Sequence, residues 1–190
     1  MKDQRHTIVA LVQNKPGVLN RIVSKWRQRG FNIESLTVGH SEVPGLSRMT
    51  FVLGGAASEV EQVTKQLFKV VDIVKISDLA EDEIVTRELA LLKVNATDQN
   101  RGAIIEIVDI FHGEIIDASP DTVVIEITGT EDKVDAAFEM LKPHGIRELA
   151  RTGRVAVTRG RASITVEEEG AGLRRYRPAG QGKPRVGSLM

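Results

Sequence analysis

The run Asn14-Lys-Pro-Gly-Val-Leu19 carries the most pointed chemistry in this chain. A strand-like segment ends just before it and a helix-like segment begins within it. The main-chain N–H groups of Gly17, Val18 and Leu19 should therefore point out of a helix N-terminus with no partner inside the helix. Such a terminus carries partial positive charge and draws carboxylate or phosphate. Gly17 has no Cβ to keep a ligand off the backbone, and Pro16 presets the turn. The Asn14 amide offers a donor and an acceptor together, which suits a zwitterion. Asn32 lies beyond the far end of the same helix. Within one chain it is out of reach of Asn14, but across a sheet edge shared by two copies the two could meet. The same residues also suit an ordinary turn, with Asn as a cap and Pro-Gly as a corner, and on their own they leave that reading open.

Other chemistry is thin. The chain has no Cys, so thiolate zinc sites, Cys nucleophiles and iron–sulfur clusters fall away. His6, His40, His112 and His144 show no paired ligand spacing, and no metal site is expected. No nucleophile elbow, phosphate-binding P-loop or His-Glu-x-x-His motif occurs. No pair of carboxylates stands on an apolar background that would raise a pKa. No catalytic residues are expected.

The elements that must position the Asn14–Leu19 run follow from hydrophobic periodicity. Residues 6–13 alternate as a strand. From Val18 to residue 29 the apolar Val18, Leu19, Ile22, Val23 and Trp26 recur at helical spacing, and Gly30 suits the helix C-terminus. Residues 32–39 and 47–53 read as strands around Pro44-Gly45. Ser58 and Glu61 resemble a capping box for a second helix bearing Val60, Val63 and Leu67, and residues 71–76 close the unit as a strand. The order then recurs. Residues 87–95 read as a strand and 103–111 as a helix; 114–118 and 122–128 read as strands. A helix capped by Thr130 and a strand at 146–149 follow, with 154–158 as a further extended piece. GFNIES at residue 30 and GEIIDAS at residue 113 are visibly alike. Two βαββαβ units in tandem are expected, an α+β chain of two ferredoxin-like domains at 1–80 and 81–159. Such sheets leave a face and both edges open, so a homodimer is expected.

The 190 residues carry 26 Lys and Arg against 26 Asp and Glu. Residues 1–82 hold a net +2, 83–158 a net −6 and 159–190 a net +4, so no broad basic face is expected for nucleic acid. The βαββαβ order also serves RNA-recognition domains, but its two central strands here offer only His6 and Phe51 as stacking rings. No apolar run approaches the ~20 residues that span a bilayer. No membrane association is expected, and the cytoplasm is the expected compartment. Residues 160–190 are rich in Gly, Pro and charge, among them Glu167–Glu169 and Arg174–Arg177, and are expected to form a flexible tail.

The segment NKPGVLNRIVSKWRQRGFNIESLTVG from Asn14, followed by Leu46-Ser-Arg-Met-Thr50, resembles the small regulatory subunit of acetohydroxyacid synthase (acetolactate synthase). So do Arg87-Glu-Leu-Ala-Leu-Leu-Lys93, Gly113-Glu-Ile-Ile-Asp117 and Ala150-Arg-Thr-Gly153. The resemblance covers residues ~5–160 and implies an ACT domain, an amino-acid-binding module, in the first unit. It implies a non-catalytic partner of the large catalytic subunit, which carries thiamine diphosphate, magnesium and FAD; this chain itself would hold no cofactor. The partner would raise the large subunit's activity and confer feedback inhibition by a branched-chain amino acid, usually valine. The family's effector site falls here on Asn14, Gly17, the amides of Val18 and Leu19, and Asn32 with Ile33 from a neighbouring copy. An ACT-type sensor acting on some other enzyme is the alternative. Residues 34–38 and 47–50 are the surface expected to meet the large subunit.

Overall fold

The computed structural model describes residues 4–161, 163–164 and 175–177. The chain divides into two compact units. One holds Met1–Val85 together with Ala156–Met190, and the other holds Thr86–Val155.

In the first unit the order is β1 (Gln4–Gln13), α1 (Val18–Gln28), β2 (Ile33–His40), β3 (Leu46–Gly55), α2 (Ala57–Leu67) and β4 (Ile73–Asp78). Antiparallel pairing of β1 with β3 and β4, and of β2 with β3, gives the ferredoxin-like order β4-β1-β3-β2. The alternation read from the sequence decides the faces. Ile8, Ala10 and Val12 pack with Ile22, Trp26, Phe51, Val60 and Leu67 in a core between sheet and helices. Trp26 fills its centre, its ring 5.9 Å from both Phe31 and Phe51. At α2 the structure departs from expectation. The helix begins at Ala57 behind Ala56, and no side chain caps it. Ser58 is already inside the first turn, and the Glu61 carboxylate binds Lys65 at 2.8 Å instead of closing a capping box.

The reverse face of this sheet is covered, not open. Val9 packs there with Leu79, Ala156 and Ile164, and Ile84 leans against them. Arg48, opposite Leu11 in the register, points to the same side and binds the returning segment. Its Nη2 donates to the Ala156 carbonyl at 2.9 Å and its Nη1 to that of Ile164 at 3.4 Å. Burial pushes the Arg48 guanidinium below its usual pKa, and Glu42 pulls it part of the way back. A short strand, β10 (Arg175–Arg177), runs parallel to β4 and takes up that edge. Composition alone gave residues 160–190 no reason to order. Ile164 orders because the only apolar cover for Val9 on this face comes from Leu79, Ile84 and the returning chain, among the described residues. Glu167–Glu169 and the remainder of that stretch lie outside the described residues. Among the described residues the two edge strands of the first sheet are then β10 and β2.

The second unit repeats the plan with β5 (Ile84–Asn95), α3 (Arg101–Ile110), β6 (Glu114–Ala118), β7 (Thr122–Gly129), α4 (Glu131–Leu141) and β8 (Ile146–Arg151). The sheet order is β6-β7-β5-β8, and β9 (Val155–Thr158) also pairs with β5. Its core gathers Leu92, Val94, Ile104, Val108, Ile125, Ile127, Val134 and Leu141. Thr130 takes the N-cap position of α4, in extended backbone and without a side-chain hydrogen bond. Glu88 is 6% exposed, and Arg151 meets it at 2.6 Å and Asp135 also at 2.6 Å. Burial alone would lower the Arg151 pKa, but the hydrogen bonds it donates to Asp135 and Glu88, and the charges of both, outweigh it and hold the guanidinium above its usual value.

Two outcomes follow from these ties. Arg151→Met strands a buried carboxylate and should cost about 3 kcal/mol in urea unfolding, with most of the loss recovered when Glu88→Gln is added. Arg48→Met should speed hydrogen exchange at the Arg159 amide, which donates to the Glu83 carbonyl at 2.8 Å, while leaving exchange in the α1 core near its parent rate.

Candidate effector site

The loop after β1 is held by the main chain. The Gln13 amide donates to the Asp72 carbonyl at 2.8 Å, and the Asn14 amide to the Gly45 carbonyl at 2.9 Å. These bonds tie the end of β1 to the start of β4 on one side and to the β2–β3 turn on the other. The chain then turns into α1 at Gly17, whose φ of 83° and ψ of −7° lie in the left-handed region that glycine adopts without strain. Gly17 is the N-cap residue, and no side chain caps the helix. Residues 14–17 are exposed. The outcome is a helix N-terminus, approached directly at the backbone, with its positive end uncovered.

Several sequence expectations change in detail. The Val18 amide is turned toward the Lys15 carbonyl at 3.4 Å, a long bond, so the cradle rests mainly on the amides of Gly17 and Leu19. The Val18 side chain cannot line a ligand pocket, because it is 2% exposed and opens the inward face of α1. Leu19, 39% exposed, stands on the outer side instead. Asn32 and Ile33 lie at the opposite end of α1, about 16 Å away along an 11-residue helix. Asn32 is exposed, and Ile33 is half-buried against the first core, opposite Leu53. Asn32 borders a hollow of about 450 Å³ with Arg29, Gly30, Phe31, Gly54, Gly55 and Glu59. Within one chain the structure brings Asn14 to Gly17 and keeps both apart from Asn32 and Ile33.

Arg21 was not singled out from the sequence. A helical side chain leans toward the N-terminus of its helix, so a residue four positions after Gly17 reaches back over it. The Arg21 Nη2 lies 3.8 Å from the place a Cβ on Gly17 would take. Its Nε lies 3.3 Å from Asp72 Oδ2. The spacing Gly17 to Arg21 was the signal that could have found it.

The second unit shows what the same scaffold becomes when its own side chains close it. The Asn95 amide donates to the Gly145 carbonyl at 2.9 Å and the Ala96 amide to the Asp121 carbonyl at 2.9 Å, matching the pair at Gln13 and Asn14. The loop beyond is closed off. Ala96, in the place of Asn14, is buried. The Asn100 Oδ1 accepts the Thr97 amide at 2.6 Å, and the Arg101 Nη2 donates to the carbonyls of Ala96, Ser119 and Pro120. Side chains of the second unit thus bond across this loop, although none of them caps α3.

Other sequence candidates resolve against function. His6 and Phe51 do lie on the central strands β1 and β3, but they are 2% and 0% exposed, so neither offers a stacking face to RNA. His6 Nδ1 instead meets Asp78 Oδ2 at 2.8 Å inside the fold. Of the surface expected to meet the large subunit, Ser47, Met49 and Thr50 are buried, and Arg48 is spent on residues 156 and 164. Across residues 34–38, Val38 is 45% exposed, and Glu34 pairs with Arg5 at 3.0 Å. Among the described residues no three His, Asp or Glu cluster in a way that could hold a metal ion, and no helix is long and apolar enough to cross a membrane.

The halves of the chain match two family models: residues 8–75 an ACT domain of the kind found in the acetohydroxyacid synthase small subunit, and residues 87–160 the small subunit of acetolactate synthase. A probable acetolactate synthase small subunit from Archaeoglobus fulgidus is 52% identical over 156 residues, spanning 82% of this chain and 98% of that protein. The acetolactate synthase small subunit of Mycolicibacterium smegmatis is 48% identical over 159 residues, 84% of this chain and 94% of its own length. The crystal structure of the acetolactate synthase small subunit from Thermotoga maritima superposes with a TM-score of 0.78 at 42% identity, covering 83% of this chain and 99% of that one. With both halves matched in order and relatives this similar along nearly their whole length, the chain belongs to the acetolactate synthase small-subunit family.

Proposed function

We propose that this chain is the regulatory subunit of an acetolactate synthase holoenzyme, raising the activity of a large catalytic subunit and conferring feedback inhibition by a branched-chain amino acid, with valine as the effector. Thiamine diphosphate, magnesium and FAD then belong to the large subunit, and the residues of this chain bind the effector and the partner. The observation that carries the reading is the uncapped α1 N-terminus at Gly17, approached directly at the backbone and framed by the exposed Asn14.

The effector carboxylate rests on the amides of Gly17 and Leu19. The Asn14 side chain takes one polar end, and Asn32 of a second copy takes the other. The geometry within one chain supports this division, since Asn32 sits just before β2, an edge strand of the first sheet. Pairing β2 with β2 of a second copy continues the sheet and can carry Asn32 and Ile33 to the other chain's cradle. Ile33 and Leu19 then flank the aliphatic side chain. An amino acid that contacts two copies at once favours one orientation of the pair. It can shift the balance between two states only by its difference in affinity for them, typically about 1–3 kcal/mol. That range covers a change of severalfold to a hundredfold in the population of the active holoenzyme.

Asn14→Ala and Gly17→Asp are expected to abolish valine inhibition while activation of the large subunit persists, read by acetolactate production and by titration calorimetry with L-valine. Unchanged valine binding in both variants rules the site out, and failure to retain a thiamine-dependent large subunit in a pull-down favours a sensor for another enzyme. Val38→Glu places a charge on the β2 edge; sedimentation should show it as a monomer with weakened valine binding. A dimer that survives the substitution moves the pairing surface elsewhere.

A further inference from the structure

Arg21 bridges a buried acid and the open cradle. Asp72 is 7% exposed. Its Oδ2 accepts no hydrogen bond of good geometry, and its tie to Arg21 Nε at 3.3 Å is an ion pair without alignment. The backbone of Asp72 is fixed, because its carbonyl takes the Gln13 amide at the end of β1. The Arg21 side chain is 57% exposed, and its Nη2 reaches to 3.8 Å from the Cβ position of Gly17. One edge of the guanidinium is thus anchored on a buried carboxylate while the other stands over the backbone that a ligand would touch. A planar guanidinium with its donors in a rigid fork is suited to this, since holding Nε sets the direction of both Nη groups. Asp72 does not cancel the local charge. Arg21 and Asp72 border a hollow of about 360 Å³ together with Lys25 and Lys69, so cations outnumber the acid there.

We propose that Arg21 takes the effector's carboxylate and that Asp72 is the positioning residue that aims it. One carboxylate oxygen lies on the amides of Gly17 and Leu19, and the other accepts from Arg21 Nη2. The inference rests on the reading of the cradle as the effector site and adds its charge recognition: an α-amino acid is held by its carboxylate as well as by the asparagines. It also gives the Gly17→Asp variant a second reason to fail, since the new carboxylate would lie within reach of Arg21.

The test is calorimetry of L-valine binding to the full-length chain, with melting temperatures measured alongside. Arg21→Met combined with Asp72→Asn removes both charges, so no buried carboxylate is stranded. This double variant is expected to melt close to the parent and to bind valine at least about tenfold more weakly, the scale of a lost charge-assisted hydrogen bond. Arg21→Lys keeps a cation for the carboxylate and for Asp72 and should bind within about fivefold of the parent. Asp72→Asn alone should fall between the two, with its melting temperature unchanged. Parent-like affinity in the double variant overturns the inference, as does a loss in Arg21→Lys equal to that in the double variant. If Asn14→Ala abolishes binding while the Arg21 variants do not, the cradle stands and the role of Arg21 falls. If the unsubstituted chain binds no valine, the effector reading and this inference fall together.

Discussion

Two main-chain hydrogen bonds at the end of β1 fix where the loop before α1 can turn. By pinning Gln13 to Asp72 and Asn14 to Gly45, they hold the strand end between two other strands and leave the next few residues to turn as their side chains allow. In the first unit the turn falls to a glycine in left-handed backbone, and the helix begins bare. In the second unit the same two bonds form at Asn95 and Ala96, yet asparagine and arginine side chains fill the turn with bonds of their own. A shared scaffold thus carries one loop turned by a glycine and one tied by its own side chains. The difference lies in a few side chains, not in topology, which is why fold likeness between the units says little about what each one binds.

The first unit is not a contiguous stretch of sequence. Its helix-side core is complete by Ile76, but its reverse face needs Ala156 and Ile164, and Arg48 reaches across the chain order to hold both. Among the described residues this half-buried guanidinium is bound to carbonyl oxygens with no carboxylate close enough for a salt bridge, at a cost in desolvation that nearby Glu42 offsets only in part.

The periodic signals were legible. Alternation in β1, the helical stripe from Val18 through Trp26 and the repeated strand order gave the elements and their topology, because each depends on spacing within a dozen residues. The Pro16-Gly17 turn was legible for the same reason. The α2 start was misplaced because Ser58 and Glu61 fit a local pattern that the helix, entering two residues earlier behind Ala56, does not use. Burial of Val18, the turning of its amide to Lys15, and the closeness of Arg21 to Gly17 depend on how α1 is rotated against the sheet, which a periodicity fixes only coarsely. The cover on the reverse face was illegible: one isoleucine at position 164, in a stretch otherwise polar, gives no periodic signal, and Val9, Leu79 and Ile84, which it joins, sit 80 or more residues away in sequence.

That cover has a consequence for how the molecule is made. As the chain leaves the ribosome, Val9 and its neighbours emerge early, while Ile164 follows only after the whole second unit has been translated. Domains otherwise tend to fold in order of synthesis. Here the amino-terminal sheet has only Leu79 and Ile84 over Val9 until its own far end returns, so the part born first is the part finished last.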